Sequence, residues 1–214
     1  MIPRRAAVDW RRRTSRLGDR FTLDLAAQLT DISRPPLLPA TWHCEVACVL
    51  ADEAAIGGDF TVFSLEGRRL RAMLVDTSGK GQEAATRAVM LAGAISGLLA
   101  ELPIDGVLPA VNRHVLRVSS SEDFATAVLL EVDLATGQFL LGNAGHPPPV
   151  HFTASSGQWT QYPPSGPALG FFDVSAWELV PGRLHDDDAL LVVTDGVVEV
   201  AWRRHRLGSG SAPG

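Results

Sequence analysis

The chain has 214 residues, of which 46% are hydrophobic and 7% aromatic, and its formal net charge is −5. This length and apolar content allow one domain with a sizeable, mainly aliphatic core. Residues 1–20 hold seven basic and two acidic residues, whereas residues 21–202 hold nine basic and 22 acidic ones. An acidic body disfavours nucleic acid as the main partner and suits a cation-binding site.

The amino-acid usage also bears on the cellular compartment. The two cysteines, Cys44 and Cys48, give no disulfide framework, and no apolar signal region follows the arginine-rich N-terminus. The longest apolar stretch, residues 88–100, is too short to span a bilayer. Within it, Gly93 and Gly97 favour close packing onto a sheet over membrane dimerisation. We therefore expect a cytoplasmic chain without a transmembrane segment.

The first predicted element is a short amphipathic helix. Phe21, Leu25, Leu29 and Ile32 recur at helical spacing before Pro35-Pro36 ends the pattern. Residues 1–37 are therefore predicted to be an arginine-rich lead-in followed by this helix. The basic head is interpreted as a solvated linker, with contact to an anionic membrane surface or an acidic partner as alternatives.

Residues 38–202 are predicted to form the main domain. Its predicted strands are residues 42–50, 60–65, 69–75, 124–132, 138–141, 174–180 and 189–193. An apolar stripe from Ala84 to Leu98 predicts a long helix, and a second helix is predicted over residues 106–118, with Pro109 near its first turn. Residues 133–137 read as a hairpin loop, 142–149 as a turn-rich loop and 203–214 as a disordered tail. Strands and helices do not alternate throughout, so the expected fold class is α+β.

Three aspartates lie where an apolar run meets a glycine turn: Asp59 after Gly57-Gly58, Asp76 before the turn at 77–81, and Asp195 before Gly196. Neighbouring carboxylates are tolerable only when a cation neutralises them. Oxygen ligands select Mg²⁺ or Mn²⁺ over zinc. Two such ions roughly 3.5–4 Å apart can bind a phosphate and activate a water. The alternative is that Asp59 and Asp195 merely start turns, where aspartate is favoured.

Five segments in order resemble the SpoIIE-type branch of the metal-dependent protein serine/threonine phosphatases, the PPM superfamily. They are Gly57-Gly58-Asp59-Phe60, Asp76-Thr77-Ser78-Gly79-Lys80-Gly81, Phe124-Ala125-Thr126-Ala127, Asn143-Ala144-Gly145-His146-Pro147-Pro148-Pro149 and Thr194-Asp195-Gly196. The resemblance covers about residues 38–200. The ordered set is specific, whereas each segment alone is weak evidence.

This resemblance implies a sandwich of two antiparallel β-sheets flanked by helices, with a two-metal site between the sheets. Asp59, Asp76 and Asp195 would be the catalytic and metal-binding residues, with Asp76 bridging both ions and Asp195 holding the first ion from the far side. The Thr77 carbonyl would be a further ligand. The implied cofactors are two Mn²⁺ or Mg²⁺ ions.

The resemblance also implies an activity and a partner. A water activated by the two ions would hydrolyse phosphoserine or phosphothreonine on a regulatory phosphoprotein, with no phosphoenzyme. In this bacterial branch the substrates are often anti-sigma-factor antagonists. No nucleic acid is expected as a partner, and the oligomeric state is left open, a homodimer included.

The C-terminal end departs from the family pattern. Relatives usually continue past Thr-Asp-Gly through more helices to an Asp-Asp motif and a last strand, whereas here 19 residues follow Asp195. The resemblance thus implies a domain that lacks the last helices, the last strand and one ligand. Residues 186–188 precede Asp195 by about seven residues, roughly 20 Å along a strand, so a solvated turn is predicted for them. Two alternatives to an active enzyme are a relative that binds a phosphoprotein without hydrolysing it, and a truncated product without activity.

Several other residues have two interpretations. His146, before three prolines, is predicted to position neighbouring groups, with general acid catalysis as the alternative. Lys80 and the cluster Arg68-Arg69-Arg71 are candidates for attracting a phosphoprotein, although capping of a hairpin turn explains Arg68 and Arg69. Cys44 and Cys48 lack a second pair at zinc spacing and are predicted to be structural thiols.

Overall fold

Helices and antiparallel strands make up the parts of the chain that the computed structural model describes, residues 23–48, 58–79, 81–118 and 124–194. The helices are α1 (residues 23–32), α2 (Gly81–Glu101) and α3 (Ile104–Val118). The strands are β1 (Asp59–Glu66), β2 (Arg69–Thr77), β3 (Ala125–Asp133), β4 (Gln138–Ala144), β5 (Val150–Thr153), β6 (Gln158–Gln161), β7 (Val180–Arg183) and β8 (Ala189–Leu191). The arginine-rich head, Lys80, Asp195 and the predicted tail at 203–214 lie outside the described residues.

The strands form two antiparallel sheets. The larger has the order β1-β2-β3-β4-β7 and the smaller the order β6-β5-β8. An apolar layer joins them, in which Val128 and Leu141 of the large sheet are fully buried and Leu190 of β8 packs against them. Phe139 of β4 also meets His151 of β5 edge to face, with ring centroids 6.1 Å apart. The predicted α+β class, with two antiparallel sheets and flanking helices, is confirmed.

The other face of the large sheet is covered by helices. Met73 and Val75 of β2 are fully buried there with Ala88, Ala92 and Ile95 of α2, and the α1 residues Leu25 and Leu29 join the same cluster. Gly93 and Gly97 are exposed, with open space around their Cα atoms. The expectation that these glycines pack onto the sheet is therefore wrong, because they lie on the opposite side of the helix from its buried alanines.

Helix α2 contains the segment Gln82–Glu101, which by length and composition alone is apolar enough to cross a membrane. Its apolar residues are those that cover the large sheet, with Ala88, Ala92, Ile95 and Leu99 fully buried. Burial of this kind is what a core helix of a globular domain shows, so the apolar composition of α2 is accounted for by the sheet beneath it.

Arg71 connects the large sheet to the C-terminal end of α2. Its guanidinium donates to the carbonyl oxygens of Leu99 and Leu102, at 2.7 and 2.8 Å, and to Glu131 at 2.7 Å. No basic residue lies in the last turn of α2 itself, so a side chain from β2 satisfies carbonyl groups that the helix leaves open. Arg71 is thus a buried structural residue, and the interpretation that it attracts a phosphoprotein is wrong.

Three predicted segments differ from the structure. Residues 42–48 form no strand; there the Trp42 indole donates to the Leu134 carbonyl at 2.8 Å, so a side chain and not a ladder holds the segment. Of the strand predicted at 174–180, only Val180 lies in a strand, since the chain before it is held by buried Asn112. The loop predicted at 142–149 begins later, because residues 142–144 complete β4. Hairpin β5–β6 was not predicted.

Candidate metal centre

Asp59 and Asp76 lie directly opposite each other at the open end of the β1–β2 hairpin. Residues in such pairs have Cβ atoms about 4.5–5.5 Å apart and point to the same face of the sheet. That face is the one shared with Leu70, six residues before Asp76 on β2, which packs in the layer between the two sheets. Both aspartates are half-buried. The sequence-predicted pair is therefore brought together, on the side expected.

Gly58 allows the chain to pass close to the residue after Asp76. The Thr77 hydroxyl donates to the Gly58 carbonyl at 3.1 Å. A Cβ on Gly58 would lie 2.8 Å from the Thr77 carbonyl oxygen and would overlap the Thr77 hydroxyl. The glycine is therefore a steric requirement of this corner, which holds Thr77, the residue after Asp76, against the residue before Asp59.

Ser78 ties the turn after Asp76 to the start of β3. Its N–H donates to the Phe124 carbonyl and its hydroxyl accepts from the Phe124 N–H, both at 2.9 Å. Gly79 follows with φ +105°, a conformation that side chains rarely adopt. The turn at 77–79 is thus held from two sides, and neither Ser78 nor Phe124 was assigned this role from the sequence.

The loop after β4 is built around Asn143, whose side chain is fully buried. Its Oδ1 accepts from the His146 N–H at 2.8 Å, and its Nδ2 donates to the His146 carbonyl at 3.1 Å. Gly145 has φ +67°, and a Cβ there would lie 2.7 Å from the Ala168 nitrogen. Asn143 therefore caps this loop, and the loop holds His146 in one orientation.

The His146 ring is buried, with 1% of the residue exposed. Its Nδ1 lies 2.8 Å from the Thr126 hydroxyl and its Nε2 lies 3.0 Å from the Val193 carbonyl oxygen. Thr126 is in turn the β3 residue opposite Asp76. Both ring nitrogens are bonded to protein groups, which supports the positioning interpretation of His146 over general acid catalysis.

Asp195 lies outside the described residues, so its distance to Asp59 and Asp76 stays a prediction. Among residues 23–48, 58–79, 81–118 and 124–194, no group of three or more His, Cys, Asp or Glu side chains is placed to hold a metal ion. The described part of the centre therefore consists of Asp59, Asp76 and Thr77, which is held against Gly58. Thr126 belongs to one of the five segments that carry the family resemblance. Nothing in the sequence indicates that its hydroxyl contacts His146.

Within the described residues, the two cysteines belong to no group of three or more side chains placed to hold a metal ion. Cys44 is half-buried, and desolvation raises the pKa of its thiol. Cys48 is exposed; desolvation and then the negative charge of Asp59 raise the pKa of its thiol. Cys48 therefore lies near the candidate centre as a protonated thiol, and the prediction of two structural thiols fits Cys44 better than Cys48.

Asp188 lies away from this centre and corrects the solvated turn predicted for 186–188. Its side chain is 2% exposed and accepts from the N–H groups of Ala154 and His185, at 2.9 and 3.0 Å, while His151 Nε2 lies 3.2 Å away. These backbone hydrogen bonds, followed by the bond and charge of His151, lower the pKa of the Asp188 carboxyl. Asp186 and Asp187 are exposed as predicted.

Comparison with solved protein structures identifies the fold class of this chain. The PP2C phosphatase domain of SpoIIE from Bacillus subtilis superposes with a TM-score of 0.57 at 18% identity, over 72% of this chain and 48% of that one. The structure of the RsbU and RsbW domains of Rv1364c from Mycobacterium tuberculosis superposes with a TM-score of 0.62 at 31% identity, over 70% of this chain and 42% of that one. The fold is therefore that of the PPM, or PP2C-type, phosphatases.

The sequence comparisons narrow the class to a family. The model of the Stage II sporulation protein E (SpoIIE) family matches residues 66–209, and the chain belongs to that family. Phosphoserine phosphatase RsbP of Bacillus subtilis (strain 168) is 25% identical over 150 residues, which are 67% of this chain and 37% of RsbP. The chain thus spans less than half the length of the relatives that resemble it in sequence.

Proposed function

We propose that this chain hydrolyses phosphoserine or phosphothreonine on a regulatory phosphoprotein, with two Mn²⁺ or Mg²⁺ ions held by Asp59, Asp76, Thr77 and Asp195. The observation that carries the proposal is the Asp59–Asp76 pair, two aspartates directly opposite each other on neighbouring strands, on the face towards the second sheet. Membership of the SpoIIE family and the likeness to a phosphoserine phosphatase support the reaction class.

The residues present suit a hard divalent cation. Two carboxylates directly across a ladder repel each other unless a cation lies between them, so the pair is explained by metal binding and costs stability without it. The Thr77 carbonyl adds an oxygen donor, and Gly58 leaves its surroundings open where a Cβ would intrude. An all-oxygen set of this kind matches Mg²⁺ or Mn²⁺. When bound, such ions neutralise a phosphate and activate water for attack on phosphorus.

The chain's own residues orient this set. The Thr77–Gly58 hydrogen bond holds the carbonyl-bearing corner, and the paired bonds between Ser78 and Phe124 hold the turn beside it. Asp76 lies between Asp59 on β1 and Thr126 on β3, inside the sheet and not at its edge. An aspartate whose backbone is paired on both sides in this way suits the central, bridging position that the family resemblance assigns to Asp76.

The partner that fits is a phosphorylated regulatory protein, of the kind represented by anti-sigma-factor antagonists in this branch. A cytoplasmic setting follows from that partner. Nucleic acid is not expected, because the main part of the chain is acidic. The oligomeric state stays open, a homodimer included.

The test is metal-dependent release of phosphate from a phosphoserine protein, together with calorimetric titration of Mn²⁺. Asp76→Asn should abolish both release and tight Mn²⁺ binding. Asp186→Asn is the matched control, since Asp186 is an exposed aspartate in the turn before β8, and it should retain both. Mn²⁺ binding without phosphate release would favour the relative that binds a phosphoprotein without hydrolysing it. Equal phosphate release by wild type and Asp76→Asn would refute the proposal.

A further inference from the structure

We propose that His146 is a positioning residue for the metal centre: its ring links the segment that leads into Asp195 to the strand next to Asp76. The inference rests on the proposed function, because it assigns His146 a task in assembling that site. It assigns no proton transfer to the ring.

Three contacts in sequence carry the proposal. Asp76 of β2 lies opposite Thr126 of β3 in the ladder. The Thr126 hydroxyl lies 2.8 Å from His146 Nδ1, and His146 Nε2 lies 3.0 Å from the Val193 carbonyl oxygen. Val193 is two residues before Asp195. The imidazole therefore bridges two segments that carry predicted metal ligands.

The chemistry of the two contacts fixes the tautomer of the ring. A carbonyl oxygen only accepts hydrogen bonds, so the bond to Val193 requires the proton on Nε2. In a neutral imidazole, Nδ1 is then an acceptor for the Thr126 hydroxyl. Reversing the ring or moving the proton to Nδ1 would break the Val193 bond. The Val193 contact therefore sets the tautomer, and the Thr126 hydroxyl, which can either donate or accept, adapts to it.

The ring can act as a rigid bridge because its own backbone is held. Both the N–H and the carbonyl of His146 are bonded to the Asn143 side chain. The backbone of Asn143 is in turn bonded to Ser165, through the Ser165 N–H at 2.9 Å and the Ser165 hydroxyl at 3.1 Å. Displacing His146 would therefore disturb several buried hydrogen bonds, each of which is costly to leave unmade.

The bond to Val193 comes where strand pairing stops. The β5–β8 ladder ends at the Val150–Leu191 pair, and residues 192–194 belong to no strand. Two residues of chain span at most about 7 Å, so Val193 lies within reach of any site that Asp195 occupies. Beyond the end of the ladder, the hydrogen bond from His146 holds the chain at Val193 and links it to Thr126 of the large sheet.

Two substitutions separate the two contacts of the ring. A glutamine amide can occupy the position of Nε2 and donate to Val193, whereas an asparagine amide reaches only the Nδ1 position next to Thr126. We expect His146→Asn to weaken Mn²⁺ binding by about 10- to 100-fold, as loss of an outer-sphere support does. His146→Gln should lose clearly less. Thr126→Val, which keeps the side-chain shape, should also weaken Mn²⁺ binding. Thr126→Ser, which keeps the hydroxyl, should bind Mn²⁺ as the wild type does.

The measurements are Mn²⁺ affinity by calorimetry, amide hydrogen exchange of residues 192–195 and the ¹⁵N shifts of the His146 ring, all on the full chain. The proposal expects the Nε2–H tautomer and faster exchange at 192–195 in His146→Asn. If the His146 variants do not fold, Thr126→Val with Thr126→Ser decides the question. Equal Mn²⁺ affinity in folded wild type, His146→Asn and Thr126→Val, with unchanged exchange, would overturn the proposal and leave His146 a core residue.

The outcomes also distinguish this inference from the proposed function. If wild type binds no Mn²⁺ and releases no phosphate, the proposed function fails, while the tautomer and the exchange of residues 192–195 still decide whether His146 holds that segment. If wild type is active and glutamine and asparagine abolish phosphate release equally without changing Mn²⁺ affinity, His146 acts in proton transfer and the positioning role is refuted.

Discussion

Asp59 faces Asp76 across the β1–β2 ladder, so two negative charges lie directly opposite each other on neighbouring strands. In the absence of metal this arrangement should destabilise the fold. We expect Asp59→Asn to raise the free energy of unfolding in EDTA by about 0.2–1 kcal/mol, the usual scale of a cross-strand pair. The same variant should lose most of the rise in melting temperature that Mn²⁺ gives the wild type.

Scanning fluorimetry with EDTA and with Mn²⁺ measures both effects of Asp59→Asn. Asp186→Asn provides the control, because it removes one exposed aspartate without touching the pair. A fall in melting temperature in EDTA for Asp59→Asn would show that the pair is not a source of repulsion.

Gly58→Ala tests the close approach to Thr77. The added Cβ meets the Thr77 carbonyl oxygen at 2.8 Å, so we expect a loss of about 1–3 kcal/mol in unfolding free energy, typical of an overpacked site, and weaker Mn²⁺ binding. Gly93→Ala is the matched control, since Gly93 lies in α2 with open space around it. It should instead stabilise the protein by about 0.5–1 kcal/mol. Urea unfolding of both variants measures the contrast.

Replacing Arg71 by methionine removes the bonds to Leu99, Leu102 and Glu131 while keeping a long side chain. Because buried carbonyl groups and a carboxylate lose their partner, we expect destabilisation of about 1–3 kcal/mol. Arg68→Met, at an exposed hairpin position, should change stability by less than about 0.5 kcal/mol. Equal urea midpoints for the two variants would contradict the structural role of Arg71.

Because the Asp188 carboxylate is stabilised in the folded protein, we expect the protein to lose stability at acidic pH. Its carboxyl pKa in the folded protein is lowered from the ordinary value of 3.8, first by the His185 and Ala154 N–H groups. Its stabilising contribution is therefore fully present above the unfolded-state pKa and is lost as the pH falls through the lower, folded-state pKa. The difference in unfolding free energy between wild type and Asp188→Asn should be constant well above pH 3.8 and shrink below it. Urea titrations from pH 3 to 7 test this; a constant difference throughout would exclude it.

Part of this structure could be predicted from the sequence, because the signals for it lie within single elements and the turns between them. Strand β2 and helix α2 were predicted because their apolar residues recur at the period of one element and a glycine turn separates them. The register that sets Asp59 opposite Asp76 was not predicted, although both residues were named as candidate ligands. The strand predicted at 42–50 is wrong over its described residues, 42–48, because apolar alternation cannot show whether a partner strand is present.

Contacts between distant parts of the chain were not predictable in this way. His146 meets Val193 across 47 residues, and Asp188 meets His151 across 37. In the sequence each is a polar residue in a turn, and turn residues are polar whether exposed or buried. Only the three-dimensional contacts of Asp188 with His151 and Ala154 distinguish it from its exposed neighbours at 186 and 187.

The β1–β2 hairpin has a consequence for the order of folding. Asp59 and Asp76 are joined by a short, local connection, so their pairing closes a small loop and needs no other part of the domain. In the proposed centre, Asp195 is separated from Asp76 by more than a hundred residues, so their contact closes a much longer loop. We therefore expect the two halves of the centre to form at different times during folding. Tight metal binding would then report the last step of folding and not the first.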